Sequence, residues 1–171
     1  MNKESERGFT LIELLVVVSI VALIFSIVMV NYRSAEKQFA LQRSAHKLTQ
    51  DIRRVQAMAM VTKETGGAIP DGYGIYFSQA SPEQYILFAD FEGDGAYQAG
   101  NEIEVLEFEP KISIKSLSPD SSLNIAFYPP EPSVLIASDP LVSEALISLN
   151  YGNEMADKQI RVNKVGLIEI E

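Results

Sequence analysis

Glu13 stands inside an otherwise apolar stretch of this 171-residue chain, and no other residue in it invites a chemical question so directly. From Leu14 to Val30 the sequence reads LLVVVSIVALIFSIVMV, without a charge or a helix breaker. Phe9 to Ile12 extend it toward the roughly 20 residues that span a bilayer. A carboxylate at membrane depth costs on the order of 2.5 kcal/mol or more, so a plain anchor has no use for one there. The two readings are a functional carboxylate that meets a positive group on another chain, and a glutamate solvated by headgroups at the interface.

A second set of carboxylates lies in ADFEGDGAYQAGNEIEVL. Asp90, Glu92 and Asp94 alternate before Gly95, as hard oxygen ligands for Ca²⁺ are often placed, with Glu102 further on. An EF-hand-type loop needs its bidentate acid at the twelfth position, where Asn101 stands, so an acidic, glycine-rich hairpin turn is the favoured reading. His46 is the sole histidine and cysteine is absent. With no thiol, no second imidazole and no glycine-rich phosphate loop, few nucleophilic or metal-hydrolytic schemes can be assembled. The sequence therefore predicts no enzyme, no cofactor and no metal centre. Tyr73, Tyr76, Phe77, Tyr85, Phe88 and Phe91 suit a ligand groove, but aromatics in alternating strands more often form core, and core is the expectation.

Charge is divided along the chain. Residues 9–63 hold seven basic side chains against three acidic; residues 64–171 hold five against eighteen, a net of −13. That balance makes nucleic acid an unfavourable partner for the C-terminal part. The length suits one modest folded head plus an accessory element.

These residues need elements to hold them. Past the apolar block, Leu41, Ala45, Leu48, Ile52, Val55 and Ala59 recur at alternating steps of four and three, the period of a helix with one apolar face. Arg43, Lys47, Gln50, Arg53 and Arg54 fall largely on the rest of its surface. A helix from Phe9 to about Thr62 is on the order of 80 Å long, and Gly66, Gly67 and Pro70 end it. Beyond Pro70 the pattern predicts strands over 73–77, 84–89, 102–108, 112–117, 123–128, 145–149, 159–162 and 166–170, separated by turn signals at Ser81-Pro82, Gly93 to Gly95, Pro119-Asp120 and Pro129 to Pro132.

The run RGFTLIELLVVVSIVALI resembles the class III signal of type IV pilins and type II secretion pseudopilins. The resemblance implies that a dedicated prepilin peptidase cuts between Gly8 and Phe9 and methylates the new amine of Phe9, and that Glu13 is the filament-assembly residue. A positive amine at Phe9 is then the natural partner for the Glu13 carboxylate of a neighbouring subunit. It further implies a pilin-like α+β fold, with the long N-terminal helix packed on a mainly antiparallel β head. The expected divisions are a leader at 1–8, a transmembrane half-helix at 9–30, an amphipathic half at 31–62 and a head at 63–171.

Implied partners are the peptidase/methyltransferase, other pilin or pseudopilin subunits, an inner-membrane assembly platform and membrane lipid. The implied location is a single pass of the inner membrane, N-terminus cytoplasmic, followed by a pilus or pseudopilus. The order of elements and the final QIRVNKVGLIEIE hairpin look most like pseudopilin H and FimT-like minor pilins. The competing reading is an anchored extracytoplasmic binding domain that never polymerises, its acidic loop holding calcium or an extracellular ligand.

Overall fold

No glycine or proline occurs between Phe9 and Thr65, so nothing in the backbone chemistry interrupts a helix there. In the computed structural model, which describes residues 9–61, 64–65, 67–129, 133–152 and 157–171, helix α1 occupies Leu11–Val61. The chain divides into two units, residues 1–38 and 39–171.

In the first unit α1 carries the stretch Leu11–Met29, long and apolar enough to cross a membrane. Its large side chains are exposed among the described residues, from Leu11 through Met29. Its two serines need no outside partner: Ser19 donates to the Leu15 carbonyl at 2.8 Å and Ser26 to that of Leu23 at 3.0 Å. Such back-bonding satisfies a hydroxyl in lipid.

The second unit is built on the apolar face of residues 39–61 of α1. Leu41, Ala45, Leu48, Ile52, Val55 and Ala59, the residues of the predicted stripe, are all buried there, joined by Met58. They pack in one core with two sheets. The five-stranded sheet contains β1 (Gly72–Ser78), β2 (Gln84–Asp90), β3 (Glu102–Glu107), β5 (Ser122–Tyr128) and β6 (Ser133–Ile136), in the order β3-β2-β1-β5-β6. The four-stranded sheet runs β4-β7-β8-β9, from Ile112–Ser118, Glu144–Tyr151, Asp157–Asn163 and Ile168–Ile170. Every pairing of these strands is antiparallel. The protein is α+β with a pilin-like architecture.

Period-two alternation divides the five-stranded sheet into a core face and an outer face. Ile75, Phe77, Tyr85, Leu87, Leu123, Ile125 and Phe127 point into the core. On the outer face the connection from β2 to β3 folds back over the strands. Tyr97 stacks on Tyr76 with ring centroids 4.9 Å apart and meets Phe88 edge-on at 5.9 Å. Its backbone N–H donates to Asn124 Oδ1 at 3.1 Å. Gly74 makes room beneath: a Cβ there would lie 2.2 Å from the Phe88 ring.

Two expectations need correction. Phe91 is 39% exposed, and Tyr76 is only half-buried because it belongs to the outer face. Strand β6 was not predicted, since four residues immediately after a proline cluster give too short a run to read as a strand.

Candidate functional site

Phe9 precedes α1 and is 84% exposed, while Gly8, the residue before the expected cut, lies outside the described residues. Thr10 opens the helix. Its Oγ1 accepts from the Glu13 N–H at 3.3 Å, and its carbonyl accepts from the Leu14 N–H at 3.2 Å. Thr10 is thus the N-cap and Glu13 the third helical residue, the T-x-x-E spacing of a capping box. The positive end of the helix dipole favours a carboxylate in this first turn, which gives Glu13 a local stabilising role as well as any intermolecular one. Sequence reasoning missed Thr10, although the T-x-x-E spacing before an apolar run was there to be read. Glu13 is exposed, so its side chain is accessible to a second molecule.

The structure scatters the acidic-loop candidates. Asp90, 2% exposed, is consumed internally: Oδ1 accepts from the N–H groups of Glu92 at 3.1 Å and Gly93 at 2.8 Å. Oδ2 accepts from the Gly95 N–H at 2.8 Å and the Tyr128 hydroxyl at 2.5 Å. Asp94 turns to the Ala96 N–H at 2.9 Å, and Glu92 accepts from the Gln98 amide at 2.8 Å. Glu102 accepts from the Tyr97 hydroxyl and the Gly100 N–H. Among the described residues no three carboxylates or imidazoles converge as a metal site. The arrangement is a hairpin turn wound around one buried carboxylate. Burial and the Asp90 hydrogen bond together push the Tyr128 phenol well above its ordinary range.

His46 lies on the exposed side of α1. Of the basic residues on the same helix, Arg43 grips Glu109 through Nε at 3.1 Å and Nη2 at 2.8 Å, and Arg54 meets Glu104 at 2.8 Å. Lys47 donates to the Glu107 carbonyl at 3.2 Å. The Arg43 guanidinium holds the Glu109 carboxyl below its ordinary range. These three contacts fasten the helix to edge strand β3 and the turn after it.

With that geometry in place, comparison with known proteins decides what the N-terminal segment is. A family model described as the prokaryotic N-terminal methylation motif matches residues 4–29. The chain carries a prepilin methylation motif. The motif supports a type IV pilin-like, prepilin-type subunit and implies processing by a prepilin peptidase and assembly with other pilin subunits. Together with the apolar helix it is consistent with membrane anchoring. The methylation motif spans Phe9, Thr10 and Glu13, and the β head lies outside it. No curated protein and no solved structure matches the chain.

Proposed function

We propose that this chain is a prepilin-type structural subunit of a type II secretion pseudopilus or type IV pilus. It is cut between Gly8 and Phe9, methylated on Phe9, and drawn into a filament by its N-terminal helix. The observation that carries this reading is the methylation motif over residues 4–29 with a carboxylate, Glu13, in the first turn of an otherwise apolar helix. The new amine of one subunit pairs with Glu13 of its neighbour, an arrangement that rewards the assembled state because each charge is costly alone in lipid. The N-terminus is cytoplasmic and the head extracytoplasmic. The role is architectural, with no catalytic activity assigned to the head.

Within that class a minor, tip-type subunit of the pseudopilin H or FimT-like kind is favoured by the two-sheet head and the closing hairpin of β8 and β9. The alternative is a non-polymerising anchored binding domain, and only its calcium form loses support, because Asp90 is already occupied by four internal donors.

Electron microscopy of sheared filaments from cells expressing the full chain with its assembly machinery tests the proposal. Glu13→Val should leave the chain in the membrane and its head folded while filament incorporation falls at least about tenfold, the ratio set by 1.4 kcal/mol. Normal incorporation of Glu13→Val would remove the assembly role.

A further inference from the structure

Edge strand β3 presents different chemistry on its two faces. Toward the core side, Glu104 is taken by Arg54 of the same molecule at 2.8 Å. The other face is set by the register: Phe88 pairs with Glu102, Ile86 with Val105 and Gln84 with Glu107. Paired residues share a face, and the β1–β2 register adds Tyr76 beside Ile86. The outer surface therefore carries an apolar row, Tyr76-Ile86-Val105, that rises from half-buried to 50% exposed at the open edge, with Glu102 and Glu107 on either side. A shallow hollow of about 110 Å³ opens beside Tyr76 and Ile86. Tyr97 of the β2–β3 connection stacks on Tyr76 at the inner end of the row, so the part open to a partner is half-buried Ile86 and exposed Val105.

The complementary surface is on the same chain. On α1, His46, Gln50, Arg53 and Ala57 follow one another at steps of four, three and four along one side of the helix, and all four are exposed. Arg53 forms no ion pair among the described residues, in contrast to Arg43 and Arg54. Asp51 is the one acid on residues 39–61, and it is turned inward to the Tyr85 hydroxyl. Past Ala57 the exposed surface becomes apolar with Met60 and Val61, and Arg54, Ala57, Met58 and Val61 line an open hollow of about 340 Å³.

The spacings agree. Arg53 and Ala57 are about 6 Å apart along the helix axis, and Glu107 and Val105 are about 6.6 Å apart along the strand. A cation beside an apolar hollow thus faces a carboxylate beside an apolar knob.

We propose that the outer face of the five-stranded sheet docks residues 46–61 of a second copy of this chain, with Arg53 against Glu107 and Val105 seated beside Ala57. The proposal rests on the prepilin reading, requires consecutive copies of this subunit within one filament, as a run at the tip or along its length, and names the surface by which those heads meet. The two patches lie on different surfaces of one molecule, so the contact is heterologous and propagates rather than closing. Heads stack helix to sheet, in the same charge sense that Arg54 and Glu104 already realise within one molecule.

The natural absence of cysteine makes the test clean. Val105→Cys and Ala57→Cys are introduced together into the full-length chain, assembled in cells with its secretion or pilus machinery, and treated with a flexible thiol-to-thiol crosslinker. The expected product is a ladder of dimers, trimers and longer multimers that neither single variant gives. Adding Arg53→Glu should reduce it roughly tenfold or more, and adding Glu107→Arg as well should restore it, as for a close charge pair at an interface. Filaments that contain the chain but yield no ladder overturn this contact and leave the prepilin reading intact. A product that stops at the dimer overturns the propagating arrangement, and crosslinks only to a different subunit overturn the second copy as occupant. A ladder indifferent to the charge exchange overturns the Arg53–Glu107 pairing. Processed chain that never enters a filament and never crosslinks overturns both readings.

Discussion

The Tyr85 hydroxyl donates to the Asp51 carboxylate at 2.5 Å, joining α1 to β2 at the only acidic residue on the head-packed part of the helix. Tyr85 is 1% exposed. Burial and the neighbouring carboxylate both disfavour the phenolate, so its ionisation is pushed far above that of an ordinary tyrosine. Tyr128, bonded to Asp90, is shifted in the same direction for the same reasons. A group whose folded pKa is raised contributes stability that is complete below its unfolded pKa, about 10 for tyrosine, and is lost as pH climbs beyond it. Of the seven tyrosines, Tyr85 and Tyr128 should therefore be the last to ionise, and only as the head unfolds. Ultraviolet titration of phenolate absorbance, set beside circular dichroism, checks this; ionisation of all seven in a folded head contradicts it.

Replacing Tyr85 by Phe leaves Asp51 beside the sheet without its donor. The expected cost is about 1–3 kcal/mol, read from the urea midpoint at pH 7. Tyr85→Phe combined with Asp51→Leu should cost less than the two single changes added, because the orphaned carboxylate is then gone.

Asp90 anchors the β2–β3 turn by accepting three backbone N–H groups and one hydroxyl. Asp90→Ala strands these donors and should destabilise the head by about 3 kcal/mol or more. Calcium or a chelator should move the wild-type melting temperature by less than about 1 °C, since a ligand that does not bind adds nothing to the native state.

Gly74 lies under Phe88 at a separation that excludes a methyl group. Gly74→Ala should cost about 1–3 kcal/mol through forced displacement of the ring, and it should weaken the Tyr97 contact that holds the β2–β3 connection. Loss of near-ultraviolet aromatic dichroism at unchanged far-ultraviolet signal would report it.

Much of this architecture is written in periodicity. The four-three spacing from Leu41 to Ala59 gave the buried helix face, and eight strands fall within two residues of the runs that alternate or cluster apolar side chains. Those patterns are strong because one face of each element must be dry. Strand β6 was hidden by its length and by the prolines before it. The role of Asp90 was hidden for a different reason: an aspartate that binds its own turn and one that binds a cation share the same local sequence, and only the direction of the N–H groups separates them. Glu13 was conspicuous as a charge in an apolar run, whereas its partner in the capping motif, Thr10, was overlooked as an ordinary polar residue.

Thr10 separates the two roles of Glu13. Thr10→Ala removes the cap, costs the first turn of α1 about 1 kcal/mol, and should leave incorporation into filaments within about twofold of wild type, whereas Glu13→Val should abolish it. Equal loss from both variants in a sheared-filament assay would mean that Glu13 acts through helix capping rather than through a neighbouring amine.

The most direct test of the central claim is the N-terminus of the mature protein. Intact mass and N-terminal sequence are measured after co-expression with a prepilin peptidase, beside a Gly8→Val control. The account predicts loss of residues 1–8 and a methylated Phe9 in the wild type, with the control uncut. A wild-type chain that keeps its leader, or one cut beyond Val30, would contradict it.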